Sequence, residues 1–523
     1  MSKELAGLLD LHVAWRRVKL DIANRVFIGH PYSISLVESD LEDWLQSRLS
    51  SIAKDAYAPS PMFVCDVPKE NGLIRPGSHL SYTDRLVYAA CVGACFGAIH
   101  HTLKWSQGEI DFSYMLAIDA KNPDWTRDRF VGWKEFDQKS VAQIEAGAPY
   151  TVLTDIAAFY ENIDIGFLIS DLRAIGAPPE AVDQLSACLN KWAQIPNRGI
   201  PQGQTPSDIL AKLYFNNIDK NLRNMGYVHL RYVDDIRVFC GSLVQAKQLL
   251  IDLSQLLRRR GLNLQSAKTD ILPANDAKVK IESVTSALRA VRTQFIAEVV
   301  ETSGAGDPYI SLSEADDILE KSPDETPIEI IQKAYQDYFV ADGNVFNKSL
   351  FRFLLRRLAK QEDTFAGDHS FALLELHPEE TQTILSYLRS VFPMEYLEPP
   401  IIQLIRSGRI VYYYQLYQIL DWFYQYCARP SEDLVDLFRE ICFDAKFPRY
   451  VRTTCRAFLA NHGTNADLER IAAMYDYTAD PSERVEIICS IRRLEKGRRN
   501  ALFSRVESDG EMNRRAVKWV RSQ

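Results

Sequence analysis

Between Leu230 and Phe239 the apolar positions are those of two short strands meeting at a turn. Leu230, Tyr232 and Val233 precede a pair of aspartates, Asp234 and Asp235; Ile236, Val238 and Phe239 follow. A mixture of short apolar strands and amphipathic helices extends from Phe63 to about Pro273. "TVLTDIAAFY" (151–160) reads as a strand. "DIGFLISDLRAIG" (164–176) reads as a helix ending near Gly176, with Pro178 and Pro179 beyond it. "SDILAKLYFNNIDKNLRNMG" (207–226) predicts a helix capped by Ser207 and stopped before Gly226. "AKQLLIDLSQLLRRRG" (246–261) predicts another, with arginines in its last turn and Gly261 as its stop. Residues 1–60 read as helical, and "ESDLEDWLQSRLSSIA" (38–53) has Ser39 as its cap.

After about residue 280 the strand signal fades. "SGAGDP" (303–308) and "KSPDETP" (321–327) read as loops or linkers. Beyond them "PRYVRTTCRAFLANHGTNADLERIAAMYDY" (448–477) and "PSERVEIICSIRRLEKGRRNALFSRV" (481–506) each start at a proline and read helix, loop, helix, similar to HEAT-type repeats. Three parts follow: an N-terminal helical segment (1–60), an α+β domain (61–280) and an all-α, HEAT-like C-terminal domain (281–523).

Composition narrows the function classes. A chain of 523 residues is too long for one ordinary core. No apolar run is read as reaching the ~18 residues that span a bilayer, and the charged N-terminus lacks a signal-peptide core. The nine cysteines are scattered, without a CxxC pair; Cys91 and Cys95 share a helix face and read as core packing. A cytoplasmic protein without a membrane partner is the expectation. Residues 1–300 hold 33 Lys+Arg against 34 Asp+Glu, and residues 301–523 hold 28 against 35. That balance excludes a simple polycationic nucleic-acid binder while permitting a local basic channel.

Two adjacent carboxylates between apolar strands repel and resist desolvation. They are either an exposed polar turn or a pair held by a cation. Asp155 ends an apolar strand 79 residues before Asp234. Between them "RGIPQGQTPSD" puts Gly199 and Gly203 around Pro201 and Gln202, a backbone suited to close approach by a ligand. Lys268 lies downstream in "LNLQSAKTDIL". Lys69 and Arg75 lie upstream around a turn at Asn71-Gly72.

These segments, in this order, resemble the fingers and palm of a reverse transcriptase over roughly residues 60–275. "VPKENGLIRP…YTDRLV" resembles the fingers, "TDIAAFYENI" the first palm motif, "GIPQG" the second, "YVDD" the third, and Lys268 stands in the fourth. The resemblance implies a right-hand polymerase with two Mg²⁺ (or Mn²⁺) ions bound by Asp155, Asp234, Asp235 and the carbonyl of Ile156. It implies that Lys69, Arg75, Gln202 and Gly203 bind the incoming dNTP, and that Lys268 protonates the departing pyrophosphate. Tyr160, five residues after Asp155, takes the position beneath the incoming sugar, where an aromatic ring excludes a 2′-hydroxyl.

No three-helix thumb is identified. The helical C-terminal region resembles instead the bacterial abortive-infection (Abi) and related defence reverse transcriptases, which carry helical repeats in place of a usual thumb. That resemblance implies a homo-oligomer in anti-phage defence, making single-stranded DNA without a supplied primer, on a protein hydroxyl. Tyr32 and the cluster Tyr412, Tyr413 and Tyr414 are candidate hydroxyls, none singled out. A conventional reverse transcriptase copying RNA, retron-like or intron-like, and a non-catalytic palm-fold scaffold remain as alternatives.

Overall fold

A computed structural model describes residues 2–24, 27–29, 31–117, 124–127, 129–283, 287, 288, 290, 291, 327–341 and 346–523. The linker stretch 303–308 and most of 321–327 lie outside these residues. The chain divides into two units. The first comprises residues 1–29, 33–65 and 76–281; the second comprises 30–32, 66–75 and 282–523.

In chain order the elements up to residue 281 are α1 (Ser2–Leu8), α2 (Leu11–Asn24), α3 (Ser33–Glu38), α4 (Leu41–Ala53), β1 (Phe63–Pro68), β2 (Ile74–His79), α5 (Tyr82–Leu103) and α6 (Arg129–Glu145). Then come β3 (Tyr150–Thr154), α7 (Phe159–Asn162), α8 (Ile165–Ala174), α9 (Pro179–Trp192), α10 (Thr205–Asn224), β4 (Val228–Tyr232), β5 (Asp235–Cys240), α11 (Leu243–Arg259), β6 (Asp270–Pro273) and α12 (Ala274–Ile281). β1 and β2 form a hairpin. Asn71 and Gly72 both take positive φ there (60° and 71°), as the predicted turn requires.

The centre of the first unit is a four-stranded antiparallel sheet in the order β4-β5-β3-β6. Alternate side chains of a strand face opposite ways. Leu230 and Phe239 turn to one face and pack with Phe112, Phe136, Ile144 and Ala277, so that α6 and α12 cover it. α10 and α11 pack on the sheet as well. The N-terminal helices belong to this unit, with α2 against α5 and α1 against α4 and α9.

Several expected boundaries move. α4 starts at Leu41 with Asp40 at its N-cap, and the Ser39 hydroxyl instead donates to the Leu36 carbonyl (2.8 Å). α10 starts two residues before Ser207, because Asp21 of α2 accepts from the Thr205 backbone N–H (3.0 Å) and hydroxyl; Ser207 is buried against the Tyr88 hydroxyl. The strand read through 151–160 stops at Thr154, and Ala158 takes a left-handed φ of 48° to begin α7. Gly176 and Gly261 do end their helices, each at positive φ. Among the described residues α5 is long and apolar enough to cross a membrane, contrary to the expectation. Here it is a core helix: Leu86, Val87, Cys91, Cys95, Phe96 and Ile99 are all but inaccessible. The charges of its first turn are bonded within the protein, Asp84 by the Tyr57 hydroxyl (2.8 Å) and Arg85 Nε to the Leu80 carbonyl (3.0 Å).

In the second unit every described regular element from Ile328 onward is helical. The helices starting at Lys348, Thr381, Tyr413, Arg449, Pro481 and Glu511 pack each on the next in that order, their starts 30 to 36 residues apart. The intervening helices pack beside them. Side-chain caps at Asn347, Ser431, Thr464 and Asp480 fix the helix entries. The 66–75 segment belongs here: the Tyr412 hydroxyl donates to the Gly72 carbonyl (3.0 Å), and Lys348 lies 3.6 Å from Glu70.

Candidate active site

The register of the sheet brings the acids together. Thr154 pairs with Ile236 across β3 and β5, so Asp155 lies one residue beyond that rung and Asp235 one residue before it. Asp234 occupies the β4–β5 turn, after Val233 in the left-handed region (φ 57°). The backbone leaving β3 is held from the other side: Gln265 N–H donates to the Asp155 carbonyl (2.8 Å) and Ala157 N–H to the Asn263 carbonyl (2.9 Å). This bridge buries Ile156 and carries Lys268 to the acids. Lys268 Nζ lies 2.5 Å from Asp155 Oδ2.

Asp155 is 6% exposed, and Asp234 and Asp235 are partly buried. Burial, then the charges of Asp155 and Asp235, push the Asp234 carboxyl up to about 7. Burial and Asp155 push Asp235 up to about 6. Burial alone would lower the Lys268 ammonium, but its bond to Asp155 and the field of the three acids hold it above the ordinary lysine range. Three carboxylates thus share one neighbouring lysine. An oxygen-only donor set short of positive charge fits a hard divalent cation. Among the described residues no three such side chains already close into a ligand set.

Tyr160 lies in the same field. It is 8% exposed and its hydroxyl donates to Asp208 Oδ1 (2.6 Å) on α10. Burial first, then the charges of Asp208 and, more weakly, Asp234, push its pKa well above the ordinary tyrosine value. Its carbonyl accepts from Ile200 N–H (3.0 Å), which ties the first palm segment to the "GIPQG" loop. In that loop Gln202 N–H donates to Ser78 Oγ (2.9 Å). Gly203 takes φ 86°, and a Cβ there would come within 2.6 Å of the Phe27 ring. The glycine is explained by that packing as well as by its backbone. Lys69, exposed, and Arg75, half-buried, belong to the second unit.

Sequence reasoning missed three groups. Asp21 seats the start of α10, and Phe27 backs Gly203. The third is Arg231, whose buried guanidinium donates to the Val233 carbonyl (2.9 Å) directly ahead of Asp234. The arginine is adjacent to the YVDD stretch and was readable there; Asp21 lies 184 residues from its partner, and no local pattern marks it.

Residues 67–280 match the family described as reverse transcriptase (RNA-dependent DNA polymerase). This segment is similar to that family. Solved structures similar to the chain include apo telomerase from Candida tropicalis truncated from the C-terminal domain (12% identity, TM-score 0.31, 44% of this chain and 55% of that one). Others are apo telomerase from the same organism (10%, 0.33, 74% of each chain) and telomerase from Candida albicans in complex with a TWJ fragment of telomeric RNA (9%, 0.32, 92% and 68%). The chain thus spans about half the length of the first of these. No curated protein sequence matches it. The matched segment contains both sides of the carboxylate cluster, Asp155 on one and Asp234 with Asp235 on the other, together with Lys268, Tyr160 and the Gln202–Gly203 loop.

Proposed function

We propose that this chain is a metal-dependent DNA polymerase of bacterial anti-phage defence, of the abortive-infection type, that builds DNA without a supplied primer. The observation that carries the polymerase reading is the convergence of Asp155, Asp234 and Asp235 at one end of the sheet inside the segment similar to reverse transcriptases. In this reading these acids and the Ile156 carbonyl hold two Mg²⁺ or Mn²⁺ ions. Bound ions supply neutralising charge for the triphosphate and for the attacking hydroxyl. Lys268, already protonated beside Asp155, gives a proton to the leaving pyrophosphate. Gln202 and Gly203 support the incoming nucleotide, and the Tyr160 ring bars a 2′-hydroxyl.

The cytoplasmic setting rests on the nine scattered cysteines without a CxxC pair. The defence role and homo-oligomeric state rest on the resemblance of the helical region to Abi enzymes. The regular succession of helices from Lys348 to Ser522 supports it, since stacked helices offer long surfaces to neighbouring subunits. Priming on protein is the finer part. Tyr32 is a poor hydroxyl for it, being 7% exposed and bonded by Arg492 Nη1 (3.0 Å). Tyr414 is buried too, Tyr412 is half-buried with its hydroxyl bonded to the Gly72 carbonyl, and Tyr413 is exposed.

The test is incubation of the protein with labelled dNTPs and Mg²⁺ or Mn²⁺, then denaturation and protease digestion. Label that stays with the polypeptide and is released as peptide-linked DNA supports the full reading. Synthesis only on an added primer-template, with no label on protein, replaces it by a conventional template-copying enzyme. Asp234→Ala should abolish incorporation in a folded protein; undiminished synthesis removes the polymerase reading altogether.

A further inference from the structure

Below the acid turn lies a charged network with almost no access to water. Arg231, Asp111, Asp219 and Lys212 each have side chains no more than 2% exposed. Arg231 Nη2 donates to Asp111 Oδ2 (2.6 Å) and Asp219 Oδ2 (3.0 Å), and its Nε faces both oxygens of Asp219 (3.3 Å each). Lys212 Nζ lies 3.0 Å from Asp111 Oδ2 and donates to the Ser113 carbonyl (2.5 Å). His229 Nε2 lies 3.2 Å from Asp219 Oδ1. The Arg231 guanidinium stacks over Phe215 at 4.6 Å. Two positive and two negative side chains balance, but burial of such a set is expensive compared with apolar packing. Its retention at this spot calls for a geometric reason.

The remaining donor supplies one. Arg231 Nη1 reaches the Val233 carbonyl at 2.9 Å. Val233 is β-branched and held at φ 57°, a conformation that a β-branched residue strongly disfavours. Relaxation of that residue would swing Asp234 and change where Asp235 enters β5. We propose that Arg231 is a positioning residue: its guanidinium fixes the Val233 carbonyl to the buried Asp111–Asp219 floor and so holds the acid turn in the geometry that binds the metal ions. Asp111 and Asp219 come from different parts of the chain, so the turn is referenced to the palm as a whole. A planar fork with several fixed donors is required, and lysine, with one nitrogen, cannot reach all three acceptors together.

This inference rests on the polymerase reading, and its test separates the two. Arg231→Lys keeps the charge. With a melting temperature near native, it should lower kcat for dNTP incorporation at least about tenfold and leave the dNTP KM within about threefold. It should also weaken Mn²⁺ binding measured by electron paramagnetic resonance without substrate. Adding Val233→Gly, which tolerates positive φ without strain, should restore part of that Mn²⁺ affinity. In the native protein the amide of Asp235, next to the turn, should exchange with deuterium as slowly as those of Ile236–Cys240 in the rest of β5, a measurement that needs no variant. Native-like kcat and Mn²⁺ affinity in Arg231→Lys, an activity loss equal to its unfolded fraction, or exchange of the native Asp235 amide as fast as in free loops each overturns the inference. A native protein that neither binds Mn²⁺ nor incorporates dNTPs overturns the polymerase reading and this inference with it.

Discussion

Tyr160 has two separable parts, a ring and a hydroxyl, and the proposed function gives them different consequences. The hydroxyl donates to Asp208 at 2.6 Å within a buried setting. Tyr160→Phe removes that bond and keeps the ring, so it should cost about 1–2 kcal/mol of stability and leave sugar selection as it was. Tyr160→Ala removes the ring from a site only 8% exposed. It should cost about 3–5 kcal/mol, the range for deleting a buried aromatic, and open the space where a 2′-hydroxyl would sit. A change of tenfold in the ratio of rNTP to dNTP use corresponds to about 1.4 kcal/mol of discrimination, and at least that is expected. The assay is competition between a ribonucleotide and its deoxy counterpart at one template position, with thermal melts of all three proteins alongside. Because it reads a ratio, a uniform loss of active enzyme cancels. An unchanged ratio in folded Tyr160→Ala, or a ratio as relaxed in Tyr160→Phe as in the alanine variant, refutes the steric argument.

Further outcomes can be checked on the same preparation. Asp21→Ala removes the group that receives the first N–H and the hydroxyl of Thr205, so it should cost about 1–2 kcal/mol and raise the dNTP KM through the loosened Gln202–Gly203 loop; an unaltered denaturation midpoint would count against that cap. Asp421 is pushed up to about 6 by burial, from an ordinary 3.8. Its folded pKa lies above the unfolded one, so its contribution is full below pH ~4 and declines as pH rises through about 6. Asp421→Asn should therefore stabilise the protein by about 1–3 kcal/mol at pH 8, with the gain shrinking toward pH 4; equal shifts in melting temperature at both pH values would dismiss the burial argument. Light scattering at micromolar concentration should give a multiple of the monomer mass, and a strictly monomeric mass would contradict the proposed homo-oligomer.

The acid cluster was legible because its parts sit in local patterns. Asp234 and Asp235 interrupt an apolar strand pair, Asp155 ends a strand, and Lys268 follows a helix stop; antiparallel pairing of β3 with β5 does the rest. What holds the cluster was not legible. Thr205 takes its partner from residue 21, and Arg231 joins residues 111 and 219, separations that no periodicity reports. The misplaced caps have the same origin. Ser39 and Ser207 are good capping residues by type, but Ser39 bonds back to Leu36, and Asp21 had already set the start of α10 one turn earlier. The helical region was legible as helices, from the prolines that start them and the helix, loop, helix pattern that follows. Its spacing of 30 to 36 residues was not, because the packed helices share geometry rather than sequence.

The apparent seam near residue 280 is a poor place to divide this protein. The polypeptide passes between the two units five times, after residues 29, 32, 65, 75 and 281. Tyr32 lies with Arg492 and Trp519, and the 66–75 tip with Tyr412 and Lys348. A gene fragment ending at Ile281 would carry both stretches without their surroundings, and one beginning at Glu282 would lack them. The part that holds the acid cluster is therefore not an exchangeable module. Grafting a different C-terminal region onto it would require replacing three separated stretches at once, and inheritance of the two parts should be all or nothing.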